Sequence, residues 1–142
     1  MLDESKFMCG IFGLVTNEKI DSEKLFESTR KFLGNRGPDG IKFFQRNNLY
    51  ISHSRLAIND LTEKGAQPFF DKKKEVVSVT NGEVYNHRDL IKNQNLIINS
   101  KSDCAVIPYL YSIKGKDAFS EINGMFASAI VDYRNNDIII CR

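Results

Sequence analysis

The spacing of apolar and polar positions in the first third of the chain predicts a strand followed by a helix. Residues Cys9 to Val15 form an apolar run of strand length. From Ser22 to Leu33 the apolar positions return at the i, i+4, i+7 spacing of one helix face. Asp21 or Ser22 can cap the start of this helix, and Gly34 is predicted to end it.

A predicted hairpin comes next. Ile41 to Arg46 and Asn48 to Ser54 are two short strand patterns around the dipeptide Asn47-Asn48, which suits a tight turn. We expect Arg55 to Asp60 to prolong the second strand. The stretch from Thr62 to Phe70 is predicted to be loop, because it contains glycine and proline and lacks a regular period.

The second half of the chain continues the mixed pattern. The predicted elements are a strand over Glu75 to Thr80, a short helix over Asn86 to Lys92, a helix from Ser102 to about Lys114, and strands over Met125 to Tyr133 and Ile138 to Cys141. Pro108 lies inside the longer helix, where it removes a backbone bond and is expected to kink the chain. Several short strands with flanking helices predict an α+β fold of two sheets with helices outside.

Composition excludes several classes of protein. The chain has 142 residues, enough for one domain with a real core, and 42% of them are hydrophobic. Its 20 basic and 18 acidic side chains leave a net charge of only +2, without the dense basic stripe of a nucleic-acid-binding protein. No apolar stretch approaches the roughly 18–20 residues of a membrane span. We therefore expect neither nucleic acid nor membrane as a partner.

The cysteines and histidines argue against disulfides and metal. Cys9, Cys104 and Cys141 are odd in number and scattered, so they form neither a disulfide framework nor a CxxC pair. The only two histidines are His53 and His87, and no HExxH motif is present. We predict a chain of the reducing cytoplasm with no metal site, and we interpret both histidines as structural.

The segment Met8-Cys9-Gly10-Ile11-Phe12-Gly13 carries the strongest chemical signal. A chain that began at Cys9 would hold a thiol and a free α-amine on one residue. Their ordinary pKa values, about 8.5 and about 7.7–8.0, make proton transfer between them nearly thermoneutral. An N-terminal nucleophile works in this way, because one residue supplies both the nucleophile and its base. Residues 1–8 would block that amine, so they are predicted to be a leader or propeptide.

Five blocks of motif residues follow one another along the chain. They are Met8 to Gly13; Arg36-Gly37-Pro38-Asp39-Gly40; His53 to Leu61 with Gly65-Ala66-Gln67-Pro68; Asn81-Gly82-Glu83-Val84-Tyr85-Asn86-His87; and Ser102-Asp103 with Gly124-Met125-Phe126-Ala127. In this order the blocks resemble the class II glutamine amidotransferase domain, in the form found at the N-terminus of glutamine-hydrolysing asparagine synthetases. The resemblance covers Met8 to Arg142. It implies a four-layer αββα sandwich of two mainly antiparallel sheets, as in N-terminal nucleophile (Ntn) hydrolases.

The resemblance also implies a reaction. Cys9 would attack the side-chain amide of glutamine, its freed α-amine would carry the proton to departing ammonia, and water would release glutamate from the thioester. The side chain of Asn81 and the backbone N–H of Gly82 match the family's oxyanion hole. We interpret Arg36 and Asp39 as turn architecture rather than as catalytic groups.

The resemblance further implies a glutamine pocket. Its substrate-binding residues would be Arg55, Leu56, Ala57, Ile58, Asn59, Glu83 and Asp103. Arg55 matches the arginine that clamps the α-carboxylate, a contact that suits a planar guanidinium. Asp103, helped by Glu83, matches the acidic wall that holds the α-ammonium. Asn59 departs from the family pattern, because an apolar residue is usual there.

Three functions remain open from the sequence alone. The chain can be the glutaminase part of an asparagine synthetase, the glutaminase of a related amidotransferase with another acceptor, or a non-catalytic glutamine-binding relic. Residues 9–142 are expected to be a truncated domain, because the apolar run that ends at Cys141 stops beside Arg142. The expected partner is an ammonia-accepting synthetase domain or subunit. ATP and magnesium are expected only there, so we expect no cofactor in this chain.

Overall fold

The computed structural model describes residues 8–142, so all of the predicted leader except Met8 lies outside the described residues. The chain divides into two compact units, of which the first ends at Ala57 and the second spans Ile58–Arg142. Each unit contains one antiparallel sheet with helix against it. These are the elements of the predicted α+β fold, and that fold class is confirmed.

The first unit is a three-stranded sheet with one helix. Its elements are β1 (Gly10–Val15), α1 (Ser22–Leu33), β2 (Ile41–Arg46) and β3 (Leu49–Ser54), with the strands in the order β1-β3-β2. The bounds of β1, α1 and β2 and the start of β3 were predicted within one residue. Asn47 takes a φ of +54° in the turn between β2 and β3, a conformation that asparagine tolerates better than most residues.

Local signals explain why α1 forms where it does. The Asp21 carboxylate accepts hydrogen bonds from the backbone N–H groups of Glu23 and Lys24, which satisfies two donors of the first turn. The helix then lies on β1 and β3. The rings of Phe26 and Phe43 pack edge to face, with 5.3 Å between their centroids. Thr29 of the helix is buried.

The register of this sheet brings the start of β1 beside the end of β3. Gly10 pairs with Ser54 across the two antiparallel strands. Cys9 and Arg55, the next residues outward, therefore leave the sheet at the same end. The predicted prolongation of β3 over Arg55 to Asp60 is wrong, because only Arg55 makes an isolated bridge, to Pro38.

The second unit is a four-stranded sheet with three helices. Its elements are β4 (Phe69–Phe70), β5 (Val76–Val84), α2 (His87–Asn93), α3 (Val106–Lys114), α4 (Ala118–Glu121), β6 (Gly124–Asp132) and β7 (Asp137–Cys141), with the strands in the order β4-β5-β6-β7. The core of the unit lies between α3 and the sheet. It is built from buried side chains that include Val76, Val84, Ile107, Leu110 and Ile130.

Four features differ from the sequence prediction. β5 continues to Val84, four residues past the predicted end at Thr80, so Asn81 and Gly82 lie on the strand. The short strand β4 lies in the predicted loop, because Asp71 turns the chain and its carboxylate accepts the N–H of Val76 at 2.8 Å. The predicted helix from Ser102 begins instead as a 3-10 turn over Asp103–Ala105. Pro108 is the third residue of α3, in the first turn, where a helix has no acceptor for the N–H that proline lacks.

None of the helices within residues 8–142 has the length and the apolar composition needed to cross a membrane.

Candidate active site

The sulfur of Cys9 is held by the backbone of a single residue in the first unit. The N–H of Leu56 donates to Sγ at 3.3 Å, and Sγ lies 3.7 Å from the carbonyl oxygen of Leu56, to which the thiol can donate. Cys9 is only partly buried. A backbone donor aimed at a sulfur binds more strongly when that sulfur carries negative charge.

Arg36 fixes the backbone around Cys9 from the other side. Its Nε donates to the carbonyl oxygen of Cys9 at 3.3 Å, and its own carbonyl accepts the N–H of Met8 at 2.8 Å. In the full-length chain the nitrogen of Cys9 is a peptide nitrogen, which has no basic lone pair. These contacts hold the nucleophile candidate and are consistent with a structural role for Arg36.

The glycine-rich turn before β2 holds the segment that contains Arg55. The N–H of Asp39 donates to the carbonyl of Arg55 at 3.0 Å, and Gly40 accepts the N–H of Arg55 at 2.8 Å. The Asp39 carboxylate accepts the N–H of Ala57 at 2.7 Å. A Cβ on Gly37 would lie 2.4 Å from the nitrogen of Arg55, so only glycine permits this approach. Since these bonds take the backbone groups of residues 55–57, β3 ends at Ser54.

Asn81 and Gly82 lie near the end of β5 in the second unit, paired with Ala127 and Phe126 of β6. Gly82 has a φ of +140°, and a Cβ there would lie 2.1 Å from the carbonyl oxygen of Met125. No other residue type can occupy this position without moving β6. The predicted oxyanion residues therefore lie on a strand whose backbone path is tightly fixed.

Asp103 is buried and bonded through both carboxylate oxygens. Oδ2 accepts the N–H of Val84 at 2.6 Å, and Oδ1 accepts the side-chain Nδ2 of Asn59 at 2.8 Å. Asn59, the polar residue at a position where the family usually has an apolar one, thus has Asp103 of the same unit as its hydrogen-bond partner. A carboxylate has about four acceptor positions, so Asp103 retains capacity for a further donor.

The other predicted pocket residues differ in exposure. Ile58 is 63% exposed and Glu83 is exposed, whereas Arg55, Leu56 and Ala57 are partly buried. Within the first unit the structure brings Cys9 together with Leu56. Within the second it brings Asn59 together with Asp103, and Asp103 together with the end of the strand that carries Asn81 and Gly82.

Asp60 is a supporting residue that the sequence analysis placed in a predicted strand and in one of the five blocks but to which it gave no role. Its carboxylate accepts hydrogen bonds from the hydroxyl and N–H of Thr62, from the N–H of Lys101 and from the hydroxyl of Ser100. These donors, the Thr62 hydroxyl above all, hold the pKa of the Asp60 carboxyl well below its ordinary range. Asp60 thereby ties residues 59–62 to the segment that leads into Asp103.

Gln67 and Cys104 were also missed as supporting residues. The Gln67 side chain bonds to the backbone of Thr80, one residue before Asn81, and the Cys104 thiol lies against Gly82. The motif Gly65-Ala66-Gln67-Pro68 could have indicated a role for Gln67. Cys104 is a single cysteine, and the sequence around it gives no such indication. His87 bonds through Nδ1 to the carbonyl of Val84 at 2.9 Å, a structural contact as predicted.

A family model for a glutamine amidotransferase domain matches residues 8–142. The chain belongs to this family. The match covers every described residue, so both units of this glutamine amidotransferase domain lie within it.

The curated relatives named here are all glutamine-hydrolyzing asparagine synthetases. The chain is 35% identical over 139 residues to glutamine-hydrolyzing asparagine synthetase 1 of Arabidopsis thaliana, covering 95% of this chain and 24% of that protein. It is 38% identical over 141 residues to glutamine-hydrolyzing asparagine synthetase 2 of Oryza sativa subsp. japonica, covering 95% and 23%. It is 34% identical to the nodule glutamine-hydrolyzing asparagine synthetase of Pisum sativum, and the match covers 95% of this chain and 23% of that protein. The chain thus spans about a quarter of the length of these relatives, and the predicted resemblance is confirmed.

Proposed function

We propose that this domain hydrolyses glutamine to glutamate and ammonia through a thioester on Cys9, as the glutaminase part of an asparagine synthetase-like amidotransferase. The observation that carries the proposal is the sulfur of the partly buried Cys9, held 3.3 Å from the backbone nitrogen of Leu56, in a chain of this family. The names of the relatives support it, because they describe enzymes that hydrolyse glutamine and synthesise asparagine.

In the first half of the proposed reaction, the freed α-amine of Cys9 takes the proton from the thiol. The sulfur attacks the side-chain carbonyl carbon of glutamine, and a tetrahedral oxyanion forms. The side chain of Asn81 and the N–H of Gly82 donate to this oxyanion, and one such donor is typically worth about 2.7–4 kcal/mol of transition-state stabilisation. The ammonium group then gives its proton to the leaving nitrogen, and ammonia departs from the γ-glutamyl thioester.

In the second half, the α-amine of Cys9 accepts a proton from water as the water oxygen attacks the thioester carbon. A second tetrahedral intermediate collapses, the carbon–sulfur bond breaks, and glutamate leaves. The N–H of Leu56 donates to the sulfur whenever it carries charge, at the start of the first step and at the end of the second.

Substrate recognition in the proposal uses the two charged ends of the amino acid. Arg55 binds the α-carboxylate, and Asp103 with Glu83 binds the α-ammonium. Glutamine hydrolysis itself consumes only water. ATP and magnesium belong to the proposed synthetase partner, which would transfer the ammonia to aspartate.

The test compares the full chain with one that begins at Cys9, each checked by intact mass. We expect glutamate and ammonia release only from the chain that begins at Cys9. Added hydroxylamine should divert the thioester to γ-glutamyl hydroxamate, and Cys9→Ala should abolish both products. Equal activity in uncleaved full-length protein would contradict the role of the amine. Glutamine binding without turnover in both chains would instead support a binding relic.

A further inference from the structure

Cys104 makes a contact that no step of the proposed reaction uses. It lies in the 3-10 turn Asp103–Ala105, is only 3% exposed, and its Sγ lies 3.4 Å from the carbonyl oxygen of Gly82, to which it donates. The same sulfur lies 3.7 Å from Oδ2 of Asp103, a second and longer acceptor. The thiol therefore joins the turn to the backbone of the proposed oxyanion residue.

Gly82 needs such a contact more than other residues of β5 do. Glycine lacks the Cβ that restricts φ and ψ, so the two peptide planes on either side of Gly82 are free to rotate unless neighbours fix them. The backbone of β6 lies against one side, since a Cβ on Gly82 would come 2.4 Å from the Cα of Phe126. Cys104 holds the carbonyl of Gly82, and Asp103 Oδ2 holds the N–H of Val84 two residues later.

We infer that Cys104 is a positioning residue for the oxyanion hole. It anchors the Gly82 carbonyl and so holds the Gly82–Glu83 peptide plane, and this limits the rotation about φ and ψ of Gly82 that would turn the Gly82 N–H in the preceding plane. The inference rests on the proposed oxyanion role of Gly82. Cys104 touches neither glutamine nor Cys9 in this account, and it acts only through the backbone. Asp103 and Cys104 together clamp the segment from Gly82 to Val84 at both ends.

The kinetic expectation follows from where the oxyanion forms. Cys104→Ala removes the donor and loosens Gly82, which weakens a bond made in the transition state rather than in the bound substrate. We expect kcat for glutamine hydrolysis to fall about tenfold, less than the 10²–10³ lost when an oxyanion donor is removed outright, while KM changes less than twofold. Cys104→Ser keeps a donor and should recover most of kcat.

Cys141 provides the matched control. Its thiol donates to the carbonyl of Ser128 at 3.8 Å on the same sheet, and it is partly buried. Cys141→Ala therefore removes the same kind of bond from a strand that carries no proposed catalytic group. We expect its kcat to equal that of the unsubstituted chain beginning at Cys9.

A second measurement needs no activity. Hydrogen exchange of the full chain, followed by mass spectrometry of peptides that cover Gly82 and Glu83, should be at least tenfold faster in Cys104→Ala. The same peptides should be unaffected in Cys141→Ala. Faster exchange in Cys104→Ala, together with no glutaminase activity in the unsubstituted chain that begins at Cys9, would refute the proposed function and leave the anchoring intact. Unchanged exchange in folded Cys104→Ala, or an equal loss of kcat in Cys141→Ala, would overturn the inference.

Discussion

The side-chain amide of Gln67 bonds to both backbone groups of Thr80. The Thr80 N–H donates to Oε1 at 2.6 Å, and Nε2 donates to the Thr80 carbonyl at 2.8 Å. The register of β4 and β5, which pairs Phe69 with Ser78, places Gln67 opposite Thr80. The amide side chain thus bonds to Thr80 as a neighbouring strand backbone would, one residue before Asn81.

We expect Gln67→Glu to destabilise the second unit in a pH-dependent way. At pH 7 the carboxylate still accepts from Thr80 N–H but faces the Thr80 carbonyl with no proton to donate, at a cost of about 1–3 kcal/mol. Burial and this repulsion raise the pKa of the new carboxyl, and its protonated form regains a donor. Urea unfolding should therefore show a smaller deficit at pH 4.5 than at pH 7. Gln45 is at an exposed position and its amide donates to the Tyr50 hydroxyl, from which a carboxylate can accept instead, so Gln45→Glu should show no deficit that changes with pH in this way.

Arg55→Lys tests the substrate clamp. Lysine keeps the positive charge but loses the planar fork that binds a carboxylate through two hydrogen bonds. We expect KM for glutamine to rise about tenfold or more while kcat changes little, because the contact is made in ground and transition states alike. Steady-state kinetics of the chain beginning at Cys9 measures both values. A fall in kcat with KM unchanged would contradict the assignment.

Asn81→Ala tests the oxyanion hole. We expect kcat to fall by roughly 10²–10³ with little change in KM, because the oxyanion exists only in the transition state and the intermediates. Thermal unfolding of the variant should match that of the unsubstituted chain, which would separate catalysis from folding. An unchanged kcat would mean that other groups stabilise the oxyanion.

Asp60→Asn should reveal a carboxylate that stabilises the fold above about pH 4. Hydrogen bonds from Thr62, Lys101 and Ser100 hold the pKa of Asp60 below its unfolded value of about 3.9. The stabilisation is therefore complete above that pH and is lost as the pH falls towards the folded pKa. In urea unfolding we expect the variant to lose about 1.5–3 kcal/mol at pH 7 and less at pH 3. A loss that is constant with pH would contradict this, and Asp89→Asn, at an exposed position, is the control.

The outer edge of β7 is expected to cause self-association of the 142-residue chain. Among the described residues β7 pairs only with β6, and its Ile140 is 83% exposed. Open strand edges with exposed apolar side chains pair with other chains. Size-exclusion chromatography with light scattering should show oligomers that Ile140→Lys reduces. Ile97→Lys, which alters an equally exposed isoleucine outside the sheets, should not reduce them. A monodisperse monomer of the unsubstituted chain would contradict the prediction.

The helices and strands whose signals are local could be predicted from the sequence. The α1 helix has a 3.6-residue period and an Asp21 cap, and the β2–β3 hairpin has the turn residue Asn47. The bounds of α1 and β2 and the start of β3 were therefore placed within one residue. The two-residue strand β4 could not be predicted, because it is defined by pairing with Val77 and Ser78 rather than by its own pattern. The wrong prolongation of β3 has a similar cause, since Asp39 and Gly40 take the backbone groups of Arg55.

The candidate site was found from motifs, but its hydrogen bonds were not. The blocks around Cys9 and Asn81 indicated the chemistry, because their residue types match a family. The bond between Leu56 and Cys9 joins residues 47 apart in sequence, and the bond between Asn59 and Asp103 joins residues 44 apart. The period of apolar residues along a sequence indicates helices and strands, and it does not indicate which distant residues come into contact. The roles of these residues in catalysis stay predictions until the kinetic tests are made.

The pairing of β5 with β6 has a consequence for synthesis on the ribosome. Partners in these two strands lie 40 residues apart at Val84 and Gly124 and 56 apart at Val76 and Asp132. At about 5–20 residues per second, β5 emerges roughly 2–11 s before its main partner exists. During that delay a valine-rich, nine-residue strand has only the short β4 to pair with. Until β6 has been synthesised, most of β5 therefore has no strand of its own sheet to pair with among the described residues.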